Sequence, residues 1–410
     1  MKRLSKCLGI LVLTVTMAIG LYANGINLNG NGSKAIAMGG AFVGLADDYS
    51  AVFWNPAGLT QMKETNLVFF ATDVIPKATY ELPVAGIDAK SANKMYPTPG
   101  IGFFKPLSPN IVVGIYGYAP SGLGAKWDGA DLLPLTGGTT YKWESMLGIF
   151  TLSPAIAVKL NEQFSFGLAL NLNYGMMKLK MPALGQYQED LKGTAFGATF
   201  GLLFKANDAI SLGLCFKTPM KGTLSGDAEM GGASMYGLPS KDDAERKIKF
   251  PMWLGAGLCV KPTDNWTITV DAQYTNWEKL VSIPISYTNA GWKQAFEEGG
   301  EMPLKWKNAL QWRFGTQYEL SEAFALRAGF YTDPVVSPLD THNILLPELG
   351  YNWISFGFGY KKGNITLDLA VEYGMGKDLT VSFAEAGESG MPGNFGAKIL
   401  APNLALTIRL

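Results

Sequence analysis

Few side chains in this sequence could carry out acid–base, nucleophilic or metal chemistry. The 410 residues include one histidine, His342, and three cysteines, too few for a His/Cys cluster that would hold zinc or iron. No Gly-x-Ser-x-Gly motif occurs, so a lipase would have to build its machinery around His342 alone. The spacing of Gly39, Gly40 and Gly44 is not that of a dinucleotide-binding loop. The sequence therefore predicts no enzyme, no cofactor and no metal site.

Charge and composition indicate a membrane protein built from strands. The chain has 34 Lys plus Arg and 34 Asp plus Glu, so no excess positive charge would attract nucleic acid. Charged residues make up 17%, against about 25% in an average soluble protein. Aromatic residues reach 12% and glycines number 49. This balance favours β-structure in a membrane and predicts no nucleic-acid partner.

The beginning of the chain has the features of an export signal. Lys2 and Arg3 precede an apolar stretch at residues 8–21, which is followed by the small residue Ala23. The apolar stretch is short for a membrane-spanning helix of about 20 residues. We therefore expect residues 1–23 to be a signal peptide that is removed on export, rather than a membrane anchor.

Apolar and polar residues alternate through most of the remaining chain. From residue 164 to 174 every second side chain is large and apolar, and Ser, Gly, Ala and Asn lie between them. The same period of two starts again at Trp266 and at Ile365. Beyond residue 23 no run of about 18 apolar residues occurs, which excludes spanning helices. A period of two is typical of strands that present two different faces.

Fourteen such runs can be counted. They cover residues 65–76, 97–106, 111–120, 142–160, 164–181, 192–206, 209–221, 246–261, 266–282, 304–319, 323–334, 351–361, 364–381 and 396–410. Short connections alternate with long ones, which we place at 182–191, 222–245, 283–303 and 335–350. An even strand count with tight turns at one end and long loops at the other is typical of an outer-membrane barrel. We predict an all-β fold, a 14-stranded antiparallel transmembrane β-barrel over residues 64–410.

A secreted β-sandwich would also show alternation, but its solvent face should carry many charges. Aromatic residues also lie near the ends of the runs, as two interfacial girdles would require. One predicted girdle lies beside short turns and contains Phe164, Trp266 and Tyr360. The other lies toward the long loops and contains Tyr174, Tyr274, Trp306 and Tyr373. These positions favour the barrel.

Residues 24–63 precede the first run and are rich in small side chains. These are Gly30, Gly32, Ala35, Ala37, Gly39, Gly40, Ala41, Gly44 and Ala46. Small residues allow close packing inside a barrel wall, and Asn55-Pro56 favours a turn. A fourteen-stranded barrel would leak without an obstruction in its lumen. We therefore predict that residues 24–63 form a hatch that plugs the lumen; a disordered leader is the alternative.

The hatch sequence resembles a known family. Residues 32–41 read GSKAIAMGGA and residues 46–59 read ADDYSAVFWNPAGL. These two runs, which contain Gly39-Gly40 and Asn55-Pro56-Ala57, closely resemble the hatch of the FadL-type transporters. Those proteins are outer-membrane carriers of long-chain fatty acids and hydrocarbons in Gram-negative bacteria. The C-terminal Leu410 departs from the aromatic residue that usually ends outer-membrane proteins.

The resemblance implies passive transport of a hydrophobic small molecule across the outer membrane. We expect the protein to be a monomer that contacts outer-membrane lipids. Substrate would be captured among the loops, held in a pocket above the hatch and released sideways through a gap in the wall. The family's gap lies in its third strand, where this chain carries Gly114, Gly117 and Pro120, residues that weaken strand pairing. A general porin or structural barrel with a constricting plug is the alternative.

Several residues are candidates for contact with the substrate. The stretch at 121–141 has an unusually apolar content for an exposed loop and is a candidate for first capture, although self-packing is equally compatible. Its apolar residues are Leu123, Trp127, Leu132, Leu133 and Leu135. In the hatch the candidates for the deeper pocket are Phe42, Val43, Phe53 and Trp54, which could instead pack against the wall.

A carboxylate headgroup would require a cation. By strand alternation, Arg313 and Arg327 both point into the lumen, where a bidentate contact with a carboxylate is possible. Either arginine could instead pair with an inward carboxylate such as Asp271 or Asp368, because buried charges are least costly when paired. If neither contacts the ligand, a neutral hydrocarbon is the better substrate.

Overall fold

The computed structural model describes residues 25–28, 30–297, 299–387 and 389–410. The predicted signal peptide at 1–23 lies outside the described residues. Within the described part of the chain, no helix is both long enough and apolar enough to cross a membrane.

Fourteen long antiparallel strands form one closed sheet, as the alternation predicts. Their bounds are β1 Asn66–Leu82, β2 Tyr96–Ser108, β3 Ile111–Trp127, β4 Trp143–Lys159, β5 Phe164–Ala183, β6 Gly185–Asn207, β7 Ile210–Lys217 with Met220–Met230, β8 Lys241–Phe250 with Trp253–Thr263, β9 Trp266–Thr275, β10 Ala309–Glu319, β11 Phe324–Asp333, β12 Tyr351–Lys362, β13 Ile365–Gly376 and β14 Gly393–Arg409. Both segments of β7 pair with β6, and both segments of β8 pair with β7.

The sheet closes because β14 pairs with β1 from Asn66↔Arg409 to Glu81↔Asn394. Closure leaves no unpaired edge strand for lipid to contact. It also excludes the β-sandwich, which would need two stacked sheets.

The two faces of the wall differ in polarity, as predicted. On β5, Leu170 and Leu172 are exposed on the outside, whereas Ala169 and Asn173 point inward and are buried. Outward apolar side chains on all sides of the barrel form a belt that would contact lipid. The girdle predicted for Trp306 is wrong at that residue, because the Trp306 side chain is buried against Trp277, with the ring centroids 5.2 Å apart.

The connections at one end, called the turn end, are tight, and those at the other, called the loop end, are mostly long. Two predicted long loops are wrong. The loop predicted at 182–191 is replaced by a hairpin in which Ala183 pairs with Gly185, and the loop predicted at 222–245 shrinks to residues 231–240. The strands extend because inward residues such as Leu179, Leu191 and Leu224 are buried in an apolar cluster under the loops.

The loop end contains short elements that cover this cluster. They are strands Ile87–Lys90, Ser282–Ile283, Ile285–Tyr287, Met302–Pro303 and Leu379–Val381, helices Ala290–Phe296 and Phe383–Ala386, and 3-10 turns Pro83–Ala85, Leu133–Thr136, Ala233–Tyr236, Trp277–Lys279 and Leu339–Thr341. His342 is buried here, with its ring edge-on to Phe395 at 4.5 Å between centroids.

The segment before β1 fills the lumen. It contains helix α1 at Ser33–Ala37, helix α2 at Ala51–Trp54 and a 3-10 helix at Pro56–Gln61. Helix α1 packs against β11, β12 and β13, and the 3-10 helix packs against β4, β5 and β6. The segment is therefore held inside the barrel, as predicted for a hatch, and does not extend away from it as a leader would.

Candidate functional site

One wall carboxylate holds the middle of the hatch. Asp271 on β9 is completely buried, and its Oδ2 accepts hydrogen bonds from the backbone N–H groups of Phe42 at 2.8 Å and Val43 at 2.9 Å. Beside it on the same strand, the side-chain amide of Gln273 donates to the carbonyl of Gly40 at 3.1 Å. Because these bonds join wall side chains to three backbone positions of the hatch, Gly40, Phe42 and Val43, they fix the hatch in register with the wall.

The Gly39-Gly40 pair is required by space and by backbone geometry. Both residues are in the left-handed region, with φ of 65° and 66°, where L side chains are strained. A Cβ on Gly39 would lie 2.8 Å from the carbonyl oxygen of Phe314 on the wall, and a Cβ on Gly40 would overlap Trp54 and Arg313. The turn thus brings hatch backbone directly onto β10 and β11.

Asn55 joins three parts of the molecule. Its amide nitrogen donates to the carbonyl of Val43 in the hatch and to that of Leu202 on β6, each at 2.9 Å, and its Oδ1 accepts from Ala57 N–H at 3.2 Å. Pro56 and Ala57 then press onto the inner wall. Inward glycines make this possible, because a Cβ on Gly167 or Gly201 would overlap the Asn55–Ala57 segment.

A deep pocket of about 90 Å³ lies directly on the hatch. Phe53 and Trp54 form its floor, and Arg313 and Lys217 reach it from the wall. The Arg313 guanidinium stacks over Tyr331 at 4.1 Å from the ring centroid and donates to the carbonyl of Gly39 at 3.0 Å. Arg313 therefore binds the hatch backbone and also places positive charge at the pocket.

Lys217 supplies a second cation at the same pocket. Its Nζ lies 3.2 Å from the centroid of the Phe53 ring and 4.5 Å from that of Trp253 on β8, which is cation–π geometry. No Asp or Glu lies among the described residues that line the deep pocket, and no salt bridge joins Lys217 to a described carboxylate. Lys217 and Arg313 together thus place two basic side chains in an aromatic-walled pocket, where they could donate to an anionic group.

A larger, mostly apolar cavity of about 300 Å³ lies between the deep pocket and the loops. Its apolar lining includes Leu28, Met95, Leu123, Met146, Leu147, Ile149, Phe150, Met176, Trp353 and Ile399. Asn27, Leu28 and Ser121 line both cavities, so the two are adjacent. The shape and lining suit an elongated hydrophobic ligand.

Glu348 lies at the rim of this upper cavity, in the loop between β11 and β12. Its carboxyl group accepts backbone N–H bonds from Val336 at 3.1 Å, Ser337 at 3.2 Å and Gly25 at 3.2 Å. Burial raises the pKa of Glu348 to about 8, with the charge of Asp333 adding to the effect and the three N–H bonds opposing it. The loop and the beginning of the hatch are thus joined at one carboxyl group.

The wall has a window between β2 and β3. Their pairing ends at Ile101↔Gly117, and the next contact between the two sides is the bridge Ser91↔Trp127 near the loops. In this fully described stretch, residues 96–100 pair only with β1, and residues 118–127 pair with β4. Pro120 lies in the irregular part of β3, between Tyr118 and Ser121, where the register with β4 shifts.

The beginning of the hatch lies along the open edge of this window. Leu28 N–H donates to the carbonyl of Pro120, and Gly122 N–H donates to that of Ile26, each at 3.0 Å. The segment thus acts as a short extra strand that satisfies backbone groups which β2 leaves unpaired. Movement of residues 26–28 would be needed to expose the full edge.

An outer recess of about 530 Å³ covers the membrane side of the window. It is lined by Ile101, Gly117, Leu152 and other outward side chains, and it shares Tyr118 and Thr151 with the deep pocket. It also shares Phe150 with the upper cavity. The three cavities therefore lie side by side, from beneath the loops to the outside of the wall above the hatch, with the shared side chains between them.

Some of the predicted site residues line a cavity, and others do not. Of the hatch candidates, Phe53 and Trp54 line the deep pocket, whereas Phe42 and Val43 are buried against the wall. In the capture stretch, β3 continues to Trp127, so only residues 128–142 form a loop. Leu123 lines the upper cavity. Trp127 and Leu132 are buried, whereas Leu133 is half-buried and Leu135 is exposed.

The two predicted arginines lie in different places. Arg313 lines the deep pocket, but Arg327 lies toward the turn end and donates to Asp368 at 2.6 Å and to Gln317 at 2.7 Å. Both side chains point inward, as alternation predicts. Of the gap residues, Gly117 and Pro120 border the window, whereas Gly114 lies in the paired part of β3 opposite Phe104.

Sequence reasoning missed Lys217 and Trp253. Alternation could have found Lys217, because Leu212, Leu214 and Phe216 face outward and place it on the inner face beside the Thr218-Pro219 break. Trp253 opens the second segment of β8 directly opposite Lys217. The break in β8 at 251–252 has a comparable signal, because Pro251 cannot donate to the strand ladder.

Fold and site together define a hatch-plugged transmembrane β-barrel with a lateral window, a class of outer-membrane transport protein. The sequence profile of one family, the outer membrane protein transport proteins (OMPP1/FadL/TodX), matches residues 9–407. The chain belongs to this family, and it is an outer-membrane protein of the Gram-negative type.

Curated relatives and solved structures agree with this assignment. The chain is 22% identical to the long-chain fatty acid transport protein of Escherichia coli K12 over 423 residues, covering 91% of each protein. It is 23% identical to outer membrane protein P1 of Haemophilus influenzae over 399 residues, covering 83% of this chain and 84% of the relative. A Pseudomonas aeruginosa FadL homologue matches with a TM-score of 0.78 and 16% identity, covering 94% of this chain and all of that one. The Pseudomonas putida toluene transporter TodX matches with a TM-score of 0.73 and 17% identity, covering 94% and 99%.

Proposed function

We propose that this protein carries long-chain fatty acids passively across the outer membrane. The substrate enters beneath the loops, its chain occupies the upper cavity, and its carboxylate lies in the deep pocket against Lys217 and Arg313. It leaves sideways through the window between β2 and β3. The observation that supports the proposal is that two basic side chains, Lys217 and Arg313, line the deep pocket together with aromatic rings.

The binding energy of such a ligand comes mainly from its chain. Burying one methylene gains about 0.8 kcal/mol, so ten methylenes give roughly 8 kcal/mol, which corresponds to micromolar binding. The carboxylate adds a charge-assisted contact and fixes the orientation with its head on the hatch. Release then requires a second state of the pocket that binds less tightly, and displacement of residues 26–28 from β3 would provide it while opening the window.

A neutral aromatic hydrocarbon is the second candidate. The deep pocket is bordered by the rings of Phe53, Trp54, Tyr118, Phe250 and Trp253, which would stack well on an aromatic ligand. Such a ligand would use the same route but would not depend on the charge of Lys217.

The proposal is tested by identifying what the protein carries and what it passes. Mass spectrometry of ligand extracted from the purified protein should find fatty acids. Proteoliposomes should transfer labelled oleate into the bilayer while excluding small sugars. Recovery of monoaromatic compounds alone would favour the second candidate. Free passage of sugars without oleate transfer would instead identify a porin with a constricting plug.

A further inference from the structure

Three neighbouring strands carry a basic patch on the outside of the barrel, just beyond the apolar belt. Along β6 and the loop-side segments of β7 and β8, the inward residues Leu191, Leu224 and Ile248 are buried, so the alternate side chains point outward. Four of these outward side chains are exposed lysines, namely Lys192, Lys221, Lys247 and Lys249. We call these four residues the basic patch.

The lysines of the basic patch lie next to one another across and along the strands. Lys221 is directly opposite Lys249 across the β7–β8 ladder, and Lys247 is opposite Thr223. No salt bridge involving these four lysines occurs among the described residues, whereas the nearby Lys178 pairs with Asp190 at 2.8 Å. Like charges directly opposite each other in a sheet are destabilising. An anion bound between these lysines would reduce their repulsion.

The height of the patch is fixed by its neighbours on the same face. Ala195 pairs with Gly222, so the adjacent Phe196, which is 69% exposed, lies beside Lys221 at the edge of the apolar belt. Two residues farther out than Lys192, the outward side chains on the three strands become acidic. Asp190 is opposite Asp227, which is opposite Asp243.

On the loop side of these three strands, the lysines without a salt bridge therefore lie in a narrow band between the apolar belt and an acidic row. With strands about 4.8 Å apart and about 3.3 Å per residue, the four lysine Cα atoms lie within an area of roughly 10 by 13 Å. One acid, Glu245, borders this area beside Ser225. The band has the position and size of a lipid headgroup layer that contacts the wall.

We propose that the basic patch binds the phosphate groups of a phosphorylated lipid in the outer leaflet of the membrane. The lipid's acyl chains would lie against the apolar belt below Phe196, and its phosphates would lie between Lys221, Lys249 and Lys247. Continuity with the membrane-facing belt selects a lipid as the source of the phosphate, because a free phosphate ion would gain nothing from the adjacent apolar wall. The site lies outside the lumen and is separate from the transport route.

The test compares lipid retention by full-length protein in phosphatidylcholine nanodiscs that contain bisphosphorylated lipid A. The variant Lys221→Gln/Lys249→Gln removes half of the patch and also relieves a like-charge pair, so folding should be preserved and can be checked by heat-modified gel mobility. Lys261→Gln, at the turn end of β8, is the matched control. Native mass spectrometry measures the bound lipid.

The wild type and the control should retain bisphosphorylated lipid equally, and the double variant should bind it about 30-fold more weakly, at about fivefold for each lysine beside an anionic surface. Dephosphorylated lipid should bind the wild type more weakly still than intact lipid binds the variant, because it loses its contacts with all four lysines. Equal retention by wild type and double variant, or equal binding of intact and dephosphorylated lipid, would overturn the proposal. Saturation of the patch by inorganic phosphate alone at the same affinity would overturn it as well, by identifying a free-anion site.

Discussion

Replacement of Lys217 by methionine should separate charged from neutral ligands. Methionine keeps an unbranched stem beside Phe53 and Trp253 but removes the ammonium group that lies 3.2 Å from the Phe53 centroid. A hydrogen bond to a charged group contributes about 1.5–3 kcal/mol, so the Kd for oleate should rise about 10- to 150-fold. Methyl oleate has the same chain but no charge, so its affinity should be unchanged.

The assay is tryptophan fluorescence titration of the purified protein, since Trp54 and Trp253 border the pocket. Lys261→Met, on the same barrel but at the turn end, is the control for general effects of losing one lysine. If oleate and methyl oleate weaken by the same factor, the lysine acts only through pocket shape. If neither changes, the carboxylate does not lie in the deep pocket and the headgroup assignment is refuted.

Three further predictions concern the hatch and the loops. Gly39→Ala should loosen the hatch, because the new Cβ would lie 2.8 Å from the carbonyl oxygen of Phe314 and φ is 65°. Backbone amides at residues 33–45 should then exchange hydrogen faster. Unchanged exchange would count against close contact between Gly39 and the wall. Asn55→Ala removes three hydrogen bonds and should destabilise the hatch by about 2–3 kcal/mol. The variant should therefore show increased ion conductance in planar bilayers. The control Asn110→Ala, in an exposed turn, should leave the conductance unchanged. Burial lowers the pKa of His342 from 6.5 to about 4, so the folded state favours the neutral imidazole. The free energy of unfolding should therefore decrease as the pH falls from about 6.5 toward 4, by roughly 3 kcal/mol in total. Proteolysis of the loops should therefore accelerate at pH 4.5 in the wild type but not in His342→Phe, and equal acceleration in both would assign the effect to another group.

Alternation was sufficient to predict the barrel because the outer face of every strand must be apolar where it meets lipid. It was less informative at the loop end. Residues such as Leu191 and Leu224 keep the period of two above the membrane, but there the inward side is the apolar one, buried under the loops. The sequence alone cannot distinguish that reversal from a loop, so the predictions end β5 and β7 too early and begin β6 and β8 too late.

The hatch could be identified from its small residues, but its contacts could not. Its partners on the wall are inward glycines, such as Gly167, Gly201 and Gly329, each of which leaves room for hatch backbone. In the sequence these glycines are indistinguishable from the many others in the barrel. Contacts such as Asn55 with Leu202, 147 residues apart, depend on closure of the whole cylinder.

The central claim is that a hydrophobic substrate leaves through the window between β2 and β3, and the most direct measurement is oleate transfer into liposome bilayers by Gly117→Trp. A Cβ at Gly117 meets only ordinary contacts, with Ile101 and Leu152 at 3.9 Å, so the indole should fit without disturbing the fold and should fill the outer recess. With Leu212→Trp as control, at an exposed outward position on β7 and away from the window, we expect transfer to stop in Gly117→Trp while oleate binding remains within about twofold. Transfer at the wild-type rate in a folded Gly117→Trp protein would contradict lateral exit.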